Sequence, residues 1–218
     1  MPVVISGTDN FVLNADSLGT AAAGAFDYDG KVFYATPQGT QRGVVPGAQF
    51  FRLDSGLVGA NVTTAQNVFG VGVTLSASTV YAFEAEYIFT KTAGTTAHSF
   101  GLGFAGTATV NNILYTAFNY FNNSTLNSPL NTASIAITYS AMNQATNTTG
   151  ISSAASTATQ TQTFKLKGTV SINTGGTFIP QYTLSAAPGG AYTTAAGSFF
   201  MIYPIGASGA NVNVGTWA

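Results

Sequence analysis

Two glutamates lie two residues apart in the segment "VYAFEAEYIFTK". The rise of a strand would place the carboxylates of Glu84 and Glu86 about 7 Å apart on one face. Carboxylates separated by about 5 to 9 Å hydrolyse glycosidic bonds, so a polysaccharide depolymerase is the enzymatic alternative. However, side chains two apart on one strand point the same way and do not flank a bond. We therefore predict a solvated or salt-bridged outer face, with Lys91 or Arg52 as partners.

His98 is the single histidine of the chain and lies in "TTAHSFGLG". A histidine can act as a general base, but no carboxylate or nucleophile motif accompanies this one in the sequence. No nucleophile elbow, Walker loop or histidine zinc motif occurs, and the absence of cysteine excludes thiolate metal sites and disulfides. We predict a structural or interface histidine, no catalytic residues, no enzymatic activity, no metal and no cofactor.

Two further carboxylates lie in "AFDYDGKVFYATPQGTQRGVVP". Asp27 and Asp29 could belong to a Ca²⁺ loop, but calcium takes six to eight oxygen ligands and its loops carry more than two carboxylates. Asp29-Gly30 between aromatic and β-branched residues is a strong signal for a two-residue hairpin. The segment therefore predicts a type I′ hairpin in which the acids serve the turn.

Aromatic residues cluster in "LYTAFNYFNNST", where a loop or a strand end is expected. At an exposed position, Tyr115, Tyr120 and Phe121 could stack on the sugar rings of a surface glycan. We favour packing in the core or in a subunit interface over this glycan site, because aromatic side chains are enriched there. Trp217, beside the C-terminus, is expected to anchor an interface.

The longest apolar segments alternate with a period of two residues, which predicts strands. In "TFKLKGTVSIN" and "VYAFEAEYIFTK" one face is apolar and the other polar, whereas "SFFMIYPIG" is apolar on both faces and predicts a central strand covered on both sides. Turn clusters such as "NTGGT" and "AAPGGAY" separate the strands. The pattern predicts an all-β fold, an antiparallel, jelly-roll-like β-sandwich.

Charge is scarce, since Asp, Glu, Lys and Arg make up 6% of the 218 residues and the net charge is −1. The six basic residues are scattered, which argues against nucleic-acid binding. No apolar run is long enough for a membrane span, and the N-terminus does not resemble a signal peptide. We expect synthesis in the cytoplasm, no membrane insertion, and association into a permanent oligomer.

The chain is predicted to have two parts, joined at Pro46-Gly47. Residues 1–45 form an N-terminal extended arm with the β-hairpin, and residues 46–218 form the sandwich. The arm has two apolar runs, either of which could add a strand to the edge of a partner's sheet. These runs are Val3, Val4 and Ile5, and Phe11, Val12 and Leu13.

The segment "AGAFDYDGKVFYATPQGTQRGVVP" resembles one that recurs in tail-fibre and other minor structural proteins of tailed bacteriophages. The parts that follow resemble a β-rich domain of virion proteins from aquatic tailed phages. The matching elements are an aromatic–basic–Leu opening, a "GVGVTL" strand, a second strand and a terminal Gly-x-Trp. In this chain they are Phe51-Arg52-Leu53, Tyr81 to Glu84, His98 to Thr109, and Gly215 to Trp217.

This resemblance implies a virion structural protein that forms a homotrimeric jelly roll. Long tail fibres carry an N-terminal adaptor and a shaft, whereas this chain reaches its hairpin within its first thirty residues. We therefore expect a capsid decoration (cement) protein on the capsid surface, bound to the major capsid protein or another virion protein. The alternative is a tail fibre or spike module that recognises a host surface glycan.

Overall fold

The computed structural model describes residues 13–15, 17–123, 140–142, 157–209, 211, 213–215 and 217, with the backbone alone for 120–123 and 140–142. Within these ranges the chain forms strands and no helix, so it offers no helical segment that could cross a membrane. In chain order the strands are β1 (Ala25–Tyr28), β2 (Phe33–Gln38), β3 (Gln41–Val45), β4 (Gln49–Arg52), β5 (Leu57–Val58), β6 (Gln66–Asn67), β7 (Val73–Leu75), β8 (Thr79–Lys91), β9 (Phe100–Ala105), β10 (Thr109–Asn123), β11 (Ser140–Met142), β12 (Gln160–Thr174), β13 (Gly176–Leu184), β14 (Thr193–Thr194) and β15 (Phe199–Ala207).

The large sheet has eight strands, and its centre is the long strand β8. On one side of β8 follow β12, β10 and β11. On the other side, the first part of β8 pairs with β15, which in turn pairs with β4, and the last part pairs with β14, which pairs with β5. The smaller sheet has four strands, in which β13 pairs with β9, β6 and β7. All pairings are antiparallel, which confirms the predicted fold class.

The core of the sandwich lies between these two sheets and is rich in aromatic rings. Phe83 of β8 meets Phe104 of β9 at a ring-centroid distance of 5.5 Å, and Phe104 stacks on Phe178 of β13 at 4.4 Å. Phe89 stacks on Phe100 at 5.2 Å farther along the same interface. Ring pairs of this kind add to the hydrophobic gain of burying each ring. The two sheets are therefore joined by aromatic side chains along their length.

Alternation along β8 and β12 gives each strand one buried face, as predicted. The prediction that "SFFMIYPIG" is covered on both faces is wrong. In β15, Phe200 and Ile202 are buried, but Phe199, Met201 and Tyr203 are only half-buried. The apolar outer residues lie on a strand that is internal to its sheet, between β4 and β8, but sheet neighbours cover only its edges.

A separate three-stranded sheet, β1-β2-β3, precedes the sandwich. Val32, Tyr34 and Thr36 form its buried face, and neither Val32 nor Tyr34 belongs to the apolar cluster of the sandwich. Lys31 reaches the sandwich, since its Nζ donates a hydrogen bond of 3.0 Å to the carbonyl of Ala77. Three residues separate β3 from β4. The division of the chain at residues 45 and 46 stays a prediction.

Candidate functional site

Asp29 organises the β1–β2 hairpin through its side chain. Its Oδ1 accepts hydrogen bonds from the backbone N–H groups of Lys31 (2.8 Å) and Val32 (2.7 Å), and Oδ2 accepts one from the Tyr34 hydroxyl (2.9 Å). Burial alone would raise the pKa of Asp29, but these bonds outweigh it and hold the pKa below its usual value. A carboxylate engaged in this way serves the turn, as predicted.

The predicted type I′ turn is wrong, although the hairpin itself is confirmed. The last strand pair is Tyr28 with Phe33, so four residues form the loop instead of two. Gly30 has a φ of 85°, whereas Asp29 does not have the positive φ that a type I′ turn requires. The side chain of Asp29 supplies the acceptor that closes this longer loop.

Asp27 is also occupied, because its Oδ2 lies 3.1 Å from Nη2 of Arg42 on β3. The same nitrogen donates to the carbonyl of Gly19 at 2.7 Å, which ties the segment before β1 to β3. In the part of the chain that the structure describes, no group of three or more acidic, cysteine or histidine side chains could hold a metal ion. The acids of the hairpin thus act in packing and turn formation.

His98 is buried at one end of the sandwich. Its Nδ1 lies 2.7 Å from the carbonyl oxygen of Thr96, and its Nε2 lies 2.7 Å from the hydroxyl of Tyr192, which is in turn 2.6 Å from Oε1 of Gln160. Burial lowers the pKa of His98, and the nearby charge of Lys91 lowers it further. With a side-chain exposure of 1%, the imidazole has no open path to a substrate.

Lys91 is buried beside this histidine and does not pair with a glutamate. Its Nζ donates to the carbonyls of Gly94 (2.7 Å), Ala158 (3.2 Å), Ala93 (3.3 Å) and Thr157. Burial lowers the pKa of this ammonium. The four carbonyl oxygens replace the water that the charge has lost, so Lys91 fastens two loops to the end of β8.

Glu84 and Glu86 lie on a salt-bridged outer face, as predicted, but the predicted partners Lys91 and Arg52 are wrong. Glu84 Oε1 is 2.8 Å from Nζ of Lys167, and Glu86 Oε2 is 3.6 Å from Nζ of Lys165, both on β12. Arg52 instead pairs with Asp54. The carboxylates point outward from one strand and do not flank a cleft between them.

Tyr115 is not available to a glycan. Its ring is 1% exposed in the core, against Phe83 and Phe104, because it lies on the inner face of β10 instead of in a loop. Burial raises the pKa of its hydroxyl well above the usual value. Tyr120 and Phe121 continue β10, but their side chains lie outside the described residues.

Most residues of the two predicted apolar runs of the arm lie outside the described part of the chain. These are Val3, Val4, Ile5, Phe11 and Val12. Leu13 is half-buried, and Trp217 has 78% of its surface exposed. An exposed indole is compatible with an interface anchor, which stays a prediction.

The described chain also has an apolar groove that the sequence did not reveal. It lies between β4, at the edge of the large sheet, and β7, at the edge of the smaller sheet, and has a volume of about 330 Å³. Two residues at its rim, Phe51 and Val71, are 41% and 47% exposed. Its lining includes Phe50, Phe51, Phe69, Val71, Phe200 and Ile202. The two adjacent phenylalanines of "QFFR" indicate a strand with an aromatic side chain on each face. The sequence contains no signal that this strand lies at the edge of the sheet.

β4 presents the features of a strand-accepting edge. One side pairs with β15, and no described strand pairs with the other. All four of its residues are exposed, and the groove beside it carries no charged side chain. Edge strands are usually blunted by lysine, proline or a bulge, and here only Arg52 could do so. The open edge can therefore add a strand from a partner, with an apolar floor for its side chains.

No protein-family model and no curated protein matches this chain. A solved structure that it resembles weakly is titled "Structure of infectious bursal disease virus Gx strain". The match has 10% sequence identity, a TM-score of 0.18, and covers 77% of this chain. The chain spans 43% of the length of that structure's chain. A similarity at this level carries no argument about fold or function.

Proposed function

We propose that the chain is a non-enzymatic structural protein of a tailed-phage virion, a homotrimer that decorates the capsid and cements its subunits. The observation that carries this proposal is the open edge of the sandwich, where β4 and the apolar groove are exposed together. A rigid sandwich with an exposed edge strand beside an apolar groove is suited to bind another protein strand, and strand addition needs no catalytic chemistry. The major capsid protein or another virion protein is the partner.

The titratable groups that invite an enzymatic interpretation are each engaged in the structure itself. His98 and Tyr192 bond to each other inside the sandwich, and the hairpin acids bond to the turn and to Arg42. Glu84 and Glu86 face lysines. These contacts support a structural role, because a general acid or base must be able to reach a substrate proton.

The chain would contribute in two ways to such an assembly. The apolar runs of the arm, in residues 1–14, would add a strand to a partner, and the groove beside β4 would accept one. Trimer formation would repeat both contacts around a symmetry axis. Several weak contacts made at once bind more tightly than any one of them alone. The scarcity of charge is consistent with surfaces that are covered after assembly.

The test uses capsids of the encoding phage from which this protein is absent. Removal of residues 1–14 is expected to abolish decoration and leave the trimer intact. Val71→Lys should reduce occupancy strongly, because docking would bury an ammonium in the apolar groove. Val58→Lys is the matched control, since Val58 is 69% exposed and lies outside the groove. Full occupancy by the truncated chain and by Val71→Lys would refute the strand-exchange mechanism.

The position of the protein on the particle decides between cement and fibre. Density at capsid threefold or quasi-threefold sites is expected. Density at the tail, together with binding to host cells or glycans, would instead favour the receptor-binding alternative. That alternative has lost one of its three aromatic candidates, because Tyr115 is buried.

A further inference from the structure

The outward side chains of the large sheet are ordered in columns that follow its strands. The register aligns them in rows, so that Phe199, Glu86, Lys165 and Phe118 stand side by side across four strands. The neighbouring row contains Met201, Glu84, Lys167 and Thr116. Four columns result, in the order apolar, acidic, basic and apolar. The two outer, apolar columns lie on β4 with β15 (Phe50, Phe199, Met201, Tyr203) and on β10 (Leu114, Phe118). The acidic column lies on β8 (Glu84, Glu86) and the basic column on β12 (Lys165, Lys167). We call this surface the outer face.

The outer face carries two adjacent columns of opposite charge. Both glutamates of the chain, and both lysines that follow Lys91, lie here on adjacent strands. Exposed ion pairs contribute little to the stability of a fold. The flanking apolar residues are exposed as well, with Leu114 and Phe50 both at 57%. Charge pairs within an exposed apolar surface are typical of a protein interface, in which the charges set the register.

We propose that the outer face binds a second copy of this chain, face to face, about a two-fold axis that runs along the strands between β8 and β12. This rotation exchanges the two halves of the face. The acidic column of one copy then lies opposite the basic column of the other, Glu86 opposite Lys165 and Glu84 opposite Lys167. A two-fold axis across the strands would instead oppose acid to acid. The face therefore selects one arrangement of its own copy.

The apolar columns match in the same arrangement. Phe199 comes opposite Phe118 of the second copy, and Tyr203 comes opposite Leu114. Sheets packed face to face hold their strands within about 30° of each other, which an axis along the strands allows. Strand spacing and rise give a face of roughly 25 by 20 Å, so about 1,000 Å² would be buried in total, at the lower end of specific interfaces. The contact is independent of a role in a virion, because it needs only a second copy.

Charge reversal tests this symmetry in the full chain. Glu84→Lys/Glu86→Lys and Lys165→Glu/Lys167→Glu each place like charges opposite each other in a homodimer. Sedimentation equilibrium at chain concentrations up to about 1 mM should show that the wild-type mass doubles relative to its basal oligomer. In each variant the association constant for this doubling should be lower by roughly tenfold or more. An equimolar mixture of the two variants should recover the doubling, because their columns are again complementary.

Two further variants separate this contact from effects on folding. The quadruple variant changes both glutamates to lysine and both lysines to glutamate. It restores the ion pairs between β8 and β12 within the chain, so it should associate as the wild type does. Leu114→Lys alters no existing charge pair and should prevent doubling, whereas Val62→Lys, at an exposed position in the loop between β5 and β6, should not. A wild-type chain that never doubles, a mixture that fails to recover, or a Leu114→Lys chain that doubles normally would overturn the proposal.

Discussion

Buried polar side chains in this sandwich differ in whether their hydrogen bonds are satisfied. The hydroxyl of Tyr192 lies within hydrogen-bond distance of both His98 and Gln160. The hydroxyl of Tyr87, equally buried, has no partner. Burial raises the pKa of Tyr87 far above the usual tyrosine value, because nothing compensates the loss of water. Two tyrosines of one core thus have opposite energetic roles.

Removing these two hydroxyls should have effects of opposite sign. Tyr87→Phe deletes an unsatisfied polar group and should leave stability unchanged or raise it by up to about 1 kcal/mol. Tyr192→Phe deletes a partner of His98 and Gln160 and should lower stability by about 1–2 kcal/mol. Urea unfolding of both variants measures the difference. A loss in Tyr87→Phe as large as that in Tyr192→Phe would contradict the assignment.

His98 should make the chain sensitive to mild acid. Its folded-state pKa is depressed by burial and by Lys91, so the neutral imidazole is favoured in the folded chain. A depressed pKa contributes stability above the unfolded value of about 6.5, and this contribution is lost as the pH falls towards the folded pKa. The unfolding free energy should therefore decrease from pH 7.5 to pH 5. In His98→Gln the decrease should be smaller, and an equal decrease would exclude His98 as its source.

The neutral state also determines the orientation of the surrounding bonds. If Nδ1–H donates to the Thr96 carbonyl, then Nε2 must accept the proton of the Tyr192 hydroxyl. Gln160 then has to donate to that hydroxyl through its amide nitrogen, which has no partner in the present orientation. Turning the amide over places this nitrogen against the Tyr192 hydroxyl, where it has an acceptor. Nitrogen chemical shifts of His98 at pH 7 should show the proton on Nδ1.

At the scale of single strands, the sequence predicted which side of each long strand is buried. The period-two alternation of apolar and polar residues correctly predicted the inner faces of β8 and β12. Burial of one face of a strand produces this alternation in the local sequence, so no knowledge of its neighbours is needed. The partners of Glu84 and Glu86 could not be predicted, because they follow from the register between strands about eighty residues apart. The favoured core packing of Tyr115 is confirmed, but the loop or strand end expected there is wrong for a related reason. Pairing with β12, which is distant in the sequence, extends β10 through the aromatic cluster.

Close contact between β10 and β12 depends on a glycine. A Cβ on Gly168 would lie 2.3 Å from the carbonyl oxygen of Leu114 and 2.4 Å from Cβ of Tyr115. Neither atom is the end of a flexible side chain, so Gly168→Ala must shift the strands and is expected to cost about 1–3 kcal/mol. Thr169→Ala on the opposite face is the control and should cost less than about 1 kcal/mol. Equal unfolding midpoints for the two variants would contradict this role.

At the scale of the whole molecule, two buried apolar regions are distinguishable. The cluster of the sandwich begins at Val68 and includes residues up to Ile202, whereas Val32 and Tyr34 belong to the sheet β1-β2-β3. A cleft lined by Tyr34, Arg42 and residues 206–208 separates the small sheet from the end of β15. The small sheet is therefore held on the sandwich by limited contacts and is not part of its core.

The sandwich should consequently fold without residues 1–45. Its apolar cluster remains complete, and the bond from Lys31 to Ala77 that would be lost is worth only about 0.5–1.5 kcal/mol. The truncated chain should keep a cooperative unfolding transition and the near-ultraviolet circular dichroism of its packed aromatic rings, with a loss of at most about 3 kcal/mol. Removal of residues 1–14 alone is the control and should cost less. The contrary outcome for the chain that begins at Pro46 is a broad unfolding transition with strong binding of a hydrophobic dye. It would mean that the small sheet completes the core of the sandwich, because an incomplete core loses fixed side-chain packing while it retains its strands.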